Sequence, residues 1–209
     1  MAVAFDNNAG ASVFGTSVTT ASFTISGSNR VAVTAFGRFT ALTNIAVTCG
    51  GVTGTLITGA EVADLIGLYR HIAPATGSQT ASASWTETAS ASVGATTMTG
   101  VDQTTPANNG TSASGASPQS LSVTSTSGDL TVTGCIVNSG ETNHSSDQTN
   151  KNTGIYGNTD IGPGTGTTTH IWTRVGDTMR IAGANIVAVA VAGWGPLLGL
   201  RNNRLVVAA

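Results

Sequence analysis

A chain of 209 residues suits one sizeable domain, and at this length folding buries roughly 70% of the unfolded surface without covalent staples. Only 9% of the residues are charged, against about 25% in a typical soluble domain, and the net charge is −2. Eight Lys and Arg residues without a cluster exclude a nucleic-acid platform as the main surface, because phosphate binding needs grouped cations. So low a net charge gives little repulsion between copies and hints at an assembly component.

The opening MAVAFDNNAG has neither a basic stretch nor an apolar one, so it predicts no secretory leader. No apolar run reaches membrane-spanning length, and the longest, residues 186–192, is strand-sized. Cys49 and Cys135 lie far apart in strand-like runs without metal spacing. They read as buried free thiols, since a disulfide would require an oxidising compartment.

Helix patterns are nearly absent, while short Val/Ile/Thr runs with period-two alternation recur between Gly, Ser, Asn and Pro. Residues 18–25 (VTTASFTI) open the series and end at the turn Ser26-Gly27-Ser28-Asn29. Residues 30–36 (RVAVTAF) place Val31, Val33 and Ala35 on one face. Residues 44–49 stop at Gly50-Gly51, and 52–57 continue beyond that turn. Residues 65–72 and 80–86 read as the two arms of a hairpin around Pro74 and Gly77. Residues 92–101 form another strand, followed by a loop over 104–118.

Residues 119–125 and 129–137 predict a hairpin across Thr126-Ser127-Gly128. Residues 138–166 read as a long polar loop. Strands are expected at 167–174 and 179–181, and 186–192 (IVAVAVA) reads as a buried central strand. Some ten short strands with turns every eight to twelve residues predict an all-β fold, a sandwich or a barrel; of these an antiparallel, jelly-roll-like β-sandwich is expected. Phe23, Phe36, Leu68, Trp85, Leu121, Leu130, Trp172 and Val189 are the expected core.

Gly193, Gly195 and Pro196 break the last strand. The chain therefore divides into a β-sandwich domain over 1–194 and a C-terminal arm over 195–209. Leu197, Leu198, Leu200, Leu205 and Val206 would be costly to leave in water, at roughly 1.5–3 kcal/mol each. With Trp194, Arg201 and Arg204 they form a candidate partner-binding arm, although the arm could equally fold back on its own sandwich.

Chemistry is sparse. The neighbours Glu61 and Asp64 sit in a predicted turn (GAEVAD), not as a paired acid and base in a groove. His144, Asp147, Asp160 and His170 lie in or beside one polar loop, but no zinc or calcium spacing joins them, so no metal or cofactor is expected. A serine elbow and a phosphate-binding glycine loop are both missing. Arg70 and His71 are adjacent on a strand, so they point to opposite faces and read as structural. His144 and Tyr156 in the 138–166 loop are the candidate ligand contacts should the domain hold a glycan.

FDNNAG, SGSNRVAVTAFG, the CGGV turn, LYRHIAPATGSQTASASW, GVDQTTP, SGDLTV and NIVAVAVAGW follow one another along the chain. In that order they resemble a β-sandwich domain of tailed-phage virion structural proteins, over about residues 5–194. The shared motifs are turn and core signatures, and the resemblance brings no catalytic residues. It implies a virion structural protein made in the host cytoplasm. The concrete expectation is a capsid decoration or cement protein on the head surface, contacting the major capsid protein and copies of itself, with a trimer as the candidate symmetry. A tail or fibre glycan-binding module and a secreted bacterial adhesion domain are the alternatives.

Overall fold

The computed structural model describes residues 1–63, 65–137, 145–153, 157–174 and 178–190. The predicted arm over 195–209 lies outside them, as does Trp194. Among the described residues every regular element is a β-strand, and the sheets are antiparallel. The all-β sandwich expected from the strand spacing is the observed fold class.

The spine is β9 (Ala81–Thr99), nineteen residues long. At about 3.3 Å per residue it runs about 60 Å. One of its edges is lined by β1 (Ala4–Thr19). Its other edge is shared by β4 (Ala46–Cys49) at Ala81 to Ser84 and by β3 (Val31–Arg38) at Ala91 to Met98. β3 then pairs with β7 (Ile66–Ile72), β7 with β6 (Thr55–Val62), and β4 with β5 (Val52–Thr53).

A second sheet runs β10 (Ala107–Ala116), β17 (Thr178–Ile186), β12 (Leu130–Val137), β15 (Gly157–Pro163), β14 (Thr149–Thr153). A third is β11 (Gln119–Thr124), β16 (Thr167–Thr173), β13 (Ser145–Ser146). β2 (Phe23–Ile25) and β8 (Gly77–Gln79) make a small fourth.

Strand alternation sorts these into layers. On β3, Val31, Val33 and Ala35 meet Val132 and Ile136 of β12 and Ala182, Ala184 and Ile186 of β17. The opposite face of β3 carries Ala32 and Phe36 into a separate core with Val47, Cys49, Trp85 and Val93, inside the curl of the first sheet. The far face of β12 and β17 presents Cys135, Val137, Met179 and Ile181 to Leu121 and Trp172 of the third sheet. The second sheet is thus buried on both faces, which two sheets alone would not produce. β12 and β3 accordingly read as nearly continuous buried runs.

Several local expectations are corrected. Strand-like residues 80–86 and 92–101 belong to one strand, β9. The arms around Pro74 are not a hairpin, because β3 lies between β7 and β9. β11 and β12 do not pair across Gly128 but go to different sheets. The 104–118 loop contains β10, and the 138–166 loop contains β13, β14 and β15. Among the described residues the last strand ends at Ile186, where the predicted 186–192 strand was to begin; Val189 is only half-buried, and residues 191–192 lie outside the described residues. Leu130 is likewise half-buried, while the other six expected core residues are buried.

Candidate functional site

The motif segments meet as turn contacts. Arg30 donates from Nε to the Pro74 carbonyl at 2.9 Å and from Nη1 to the Gly27 carbonyl at 2.7 Å, clamping the SGSN turn to the P-A-T-G turn. Asp6 accepts from the Ser26 backbone N–H at 2.9 Å and from the Ser26 hydroxyl. Asp102 of GVDQTTP accepts the N–H groups of Thr104 and Thr105 at 2.7 and 2.8 Å, which hold its carboxyl below the usual carboxylate range. Asn29, Gly77 and Gly128 adopt positive φ at 49°, 88° and 94°.

Arg70 and His71 point to opposite faces of β7, as alternation requires. His71 is fully buried, and its Nδ1 lies 3.0 Å from the Val52 carbonyl, so that nitrogen is the protonated one. Its Nε2 is buried without a partner, and burial lowers the pKa to about 4. Cys49 and Cys135 are buried free thiols in different cores, with burial raising Cys49 to about 12. Glu61 lies in β6, not in a turn, while Asp64 falls outside the described residues.

His144 and Tyr156 also fall outside the described residues, as do Leu197, Leu198, Leu200, Arg201, Arg204, Leu205 and Val206. Of the four loop residues weighed for an ion, the structure joins two. Asp160 and His170 meet at 2.9 Å, both with no exposure. Asp147 instead binds alongside β16, accepting from the Ile171 N–H at 2.7 Å. No group of three ion-binding side chains occurs among the described residues.

Around Asp160 and His170 lies a polar network that the sequence reading missed. Thr131 and Thr133 project from β12, Asp160 from β15, and His170 and Trp172 from β16. Trp172 Nε1 donates to Thr133 Oγ1 at 2.9 Å, and the Thr133 hydroxyl donates to Asp160 Oδ1. Asp160 Oδ1 therefore serves as an acceptor, so His170 Nδ1 must carry the proton that bridges the 2.9 Å between them. His170 Nε2 lies 2.9 Å from Thr131 Oγ1. In the neutral imidazole that nitrogen accepts from the hydroxyl.

Hydroxyl, imidazole and carboxylate thus stand in the order of a nucleophile, a base and a group that orients the base. All five side chains have no exposure, so a diffusing substrate has no access. The legible signal was period-two spacing: Thr131 and Thr133 sit on one face of β12, and Thr168, His170 and Trp172 on one face of β16.

A different surface is open. Among the described residues β1 pairs only with β9. Asp6 is its one charged residue, and Phe14 is 74% exposed. Thr16 on β1 and Ser84, Thr86 and Thr88 on the facing stretch of β9 are also exposed. Comparisons with family models, curated proteins and solved structures return no match.

Proposed function

We propose that the chain is a non-enzymatic structural protein of a virion, seated on a capsid as a decoration or cement subunit. The observation that carries the assembly reading is the β1 edge. Sixteen residues with one charge form a long strand whose stretch over 10–16 has no further strand partner among the described residues. Such an edge is a template for a strand of a neighbouring subunit, and natural edges usually block it with charge, proline or brevity. The strand is long, its one charge, Asp6, lies near its start, and the 10–16 stretch carries no charge or proline, with a register shift between Gly15 and Ser17. Phe14 adds an exposed aromatic anchor on a Ser/Thr surface.

The virion setting rests on the turn and core motifs from FDNNAG to NIVAVAVAGW. The partner is a neighbouring shell subunit or a second copy, and the mechanism is edge pairing with burial of Phe14 across the joint. Quantitative mass spectrometry of purified particles tests this reading. A copy number comparable to the major shell subunit is expected. A handful of copies would move the protein to a tail or fibre, and complete absence would overturn the virion reading.

A further inference from the structure

We propose that Thr131 and Gln148 become joined by an intramolecular ester bond, which the chain forms on itself through His170 and Asp160. The inference stands apart from the virion reading and rests on the sealed network between the second and third sheets.

The Thr131 hydroxyl already has its base. The Trp172–Thr133–Asp160 chain fixes the His170 tautomer, leaving Nε2 to accept from Thr131 at 2.9 Å. Only a group built into the protein can reach such a buried hydroxyl. Gly162 faces Thr131 directly in the β12–β15 ladder. A methyl group added to Gly162 would lie 2.8 Å from Thr131 Oγ1 and 3.1 Å from Gln148 Oε1. It would also lie 2.7 Å from the Thr168 methyl, so only a glycine lets the nucleophile and the side-chain amide carbonyl pack against the same point.

Gln148 is held in place by its surroundings. The Asp147 backbone N–H donates to the Ile171 carbonyl at 3.1 Å, and the Ile171 N–H donates to Asp147 Oδ1 at 2.7 Å. Gln148 Nε2 donates to the Thr169 carbonyl at 3.0 Å, anchoring the amide nitrogen while Oε1 packs against that point. Holding both groups in place replaces a bimolecular encounter with an effective concentration far beyond that of free reactants.

The step balances without an external reagent. Thr131 Oγ1 attacks Gln148 Cδ while its proton passes to His170 Nε2, and Asp160 steadies the resulting imidazolium. The tetrahedral intermediate collapses with cleavage of the Cδ–Nε2 bond of Gln148. His170 returns the proton to the departing nitrogen, and ammonia leaves. One C–O bond forms, one C–N bond breaks, and nothing is oxidised or reduced. His170 is the catalytic residue and Asp160 its positioning residue. The Thr131 side of the ester is buried, which limits attack by water from that side.

The test is the intact mass of the purified, denatured full chain. The expected value is lower than the sequence mass by one ammonia. Cleavage on the N-terminal side of aspartates places Thr131 in peptide 129–146 and Gln148 in peptide 147–159. These should run as one linked species that hydroxylamine separates. Gln148→Ala, at a half-buried position, should fold and restore the full mass minus only the side-chain change. Thr131→Val should do the same, and His170→Ala should slow the mass loss at least tenfold. A wild-type chain that keeps its full mass after days at neutral pH would overturn the proposal. So would an ammonia loss confined to one peptide, which is the signature of a local asparagine imide.

Discussion

Gly54 lies against the His71 imidazole so closely that a methyl group in its place would sit 2.7 Å from Cε1. With that cover the ring has one partner, the Val52 carbonyl, and a buried Nε2 that could not keep a proton without one. The folded pKa, about 4 against an ordinary 6.5, therefore lies below the unfolded value. Between those values the unfolded chain binds more protons, so stability is full above about 6.5 and falls as the pH drops toward 4. The loss attributable to His71 is at most about 3 kcal/mol. Urea midpoints measured from pH 4 to 7 should show this slope, and His71→Gln should flatten the part due to this ring. An unchanged slope in the variant would assign the acid sensitivity elsewhere.

Asp129 also has a folded pKa below the unfolded one, but for a different reason. Burial pushes its carboxyl upward. The Ala188 N–H, the Asn185 amide, and the hydroxyl and N–H of Thr126 together outweigh that and hold it below the ordinary carboxylate range. Its contribution is present above the unfolded pKa and is lost as the pH falls through the folded one. It ties the start of β12 to Asn185 on β17 and to Ala188 beyond it. Asp129→Ala leaves these donors without their acceptor and should cost about 2–4 kcal/mol. Denaturant unfolding at pH 7 measures it, and a loss below 0.5 kcal/mol, roughly the scatter of an ordinary surface change, would mean that water replaces the carboxylate.

How far the sequence led depended on whether the signal was local. The β3, β7 and β16 segments alternate strongly and were legible in type and in face. β1 was legible only from Val18 onward, because Gly10, Gly15 and a run of Ala, Ser and Asn mask its pattern. β10 was hidden for the same reason under Asn, Gly and Ser. Partner choice was the weakest level. The turn around Gly128 looks like a hairpin turn, yet Leu121 and Val123 pack on the far face of the second sheet, which draws β11 into a separate layer. Asp160 and His170 were visible as residues but not as a pair in a sealed network. Their partners Thr131 and Thr133 look like ordinary strand threonines until the sheets are stacked.

A close approach of the first two sheets leads to a packing prediction. A methyl group on Gly134 of β12 would lie 2.5 Å from the Ala35 Cβ of β3 and 3.1 Å from Leu68 Cδ2. Gly134→Ala should therefore overpack the interface and cost about 1–3 kcal/mol. Ala35→Gly in the same chain removes one of the two clashing atoms. The pair should be less destabilising than the sum of the single changes, which a double-mutant cycle in denaturant would reveal. Strict additivity would mean that the sheets relax apart instead of clashing.

Edge pairing by β1 predicts a change in association without a change in fold. Phe14 is 74% exposed and contributes little to its own domain, so Phe14→Lys should leave the thermal midpoint nearly unchanged. The added charge should block a neighbouring strand, as lysine does on natural edges. Light scattering after size exclusion should show the wild type as an oligomer at tens of micromolar and the variant as a monomer, or as an oligomer at least tenfold weaker. Thr19→Lys serves as the control, since it adds the same charge at an exposed site at the end of the strand. If both variants dissociate alike, net charge alone governs association. If neither does, β1 is not the contact surface, and the joint must lie on another face of the molecule.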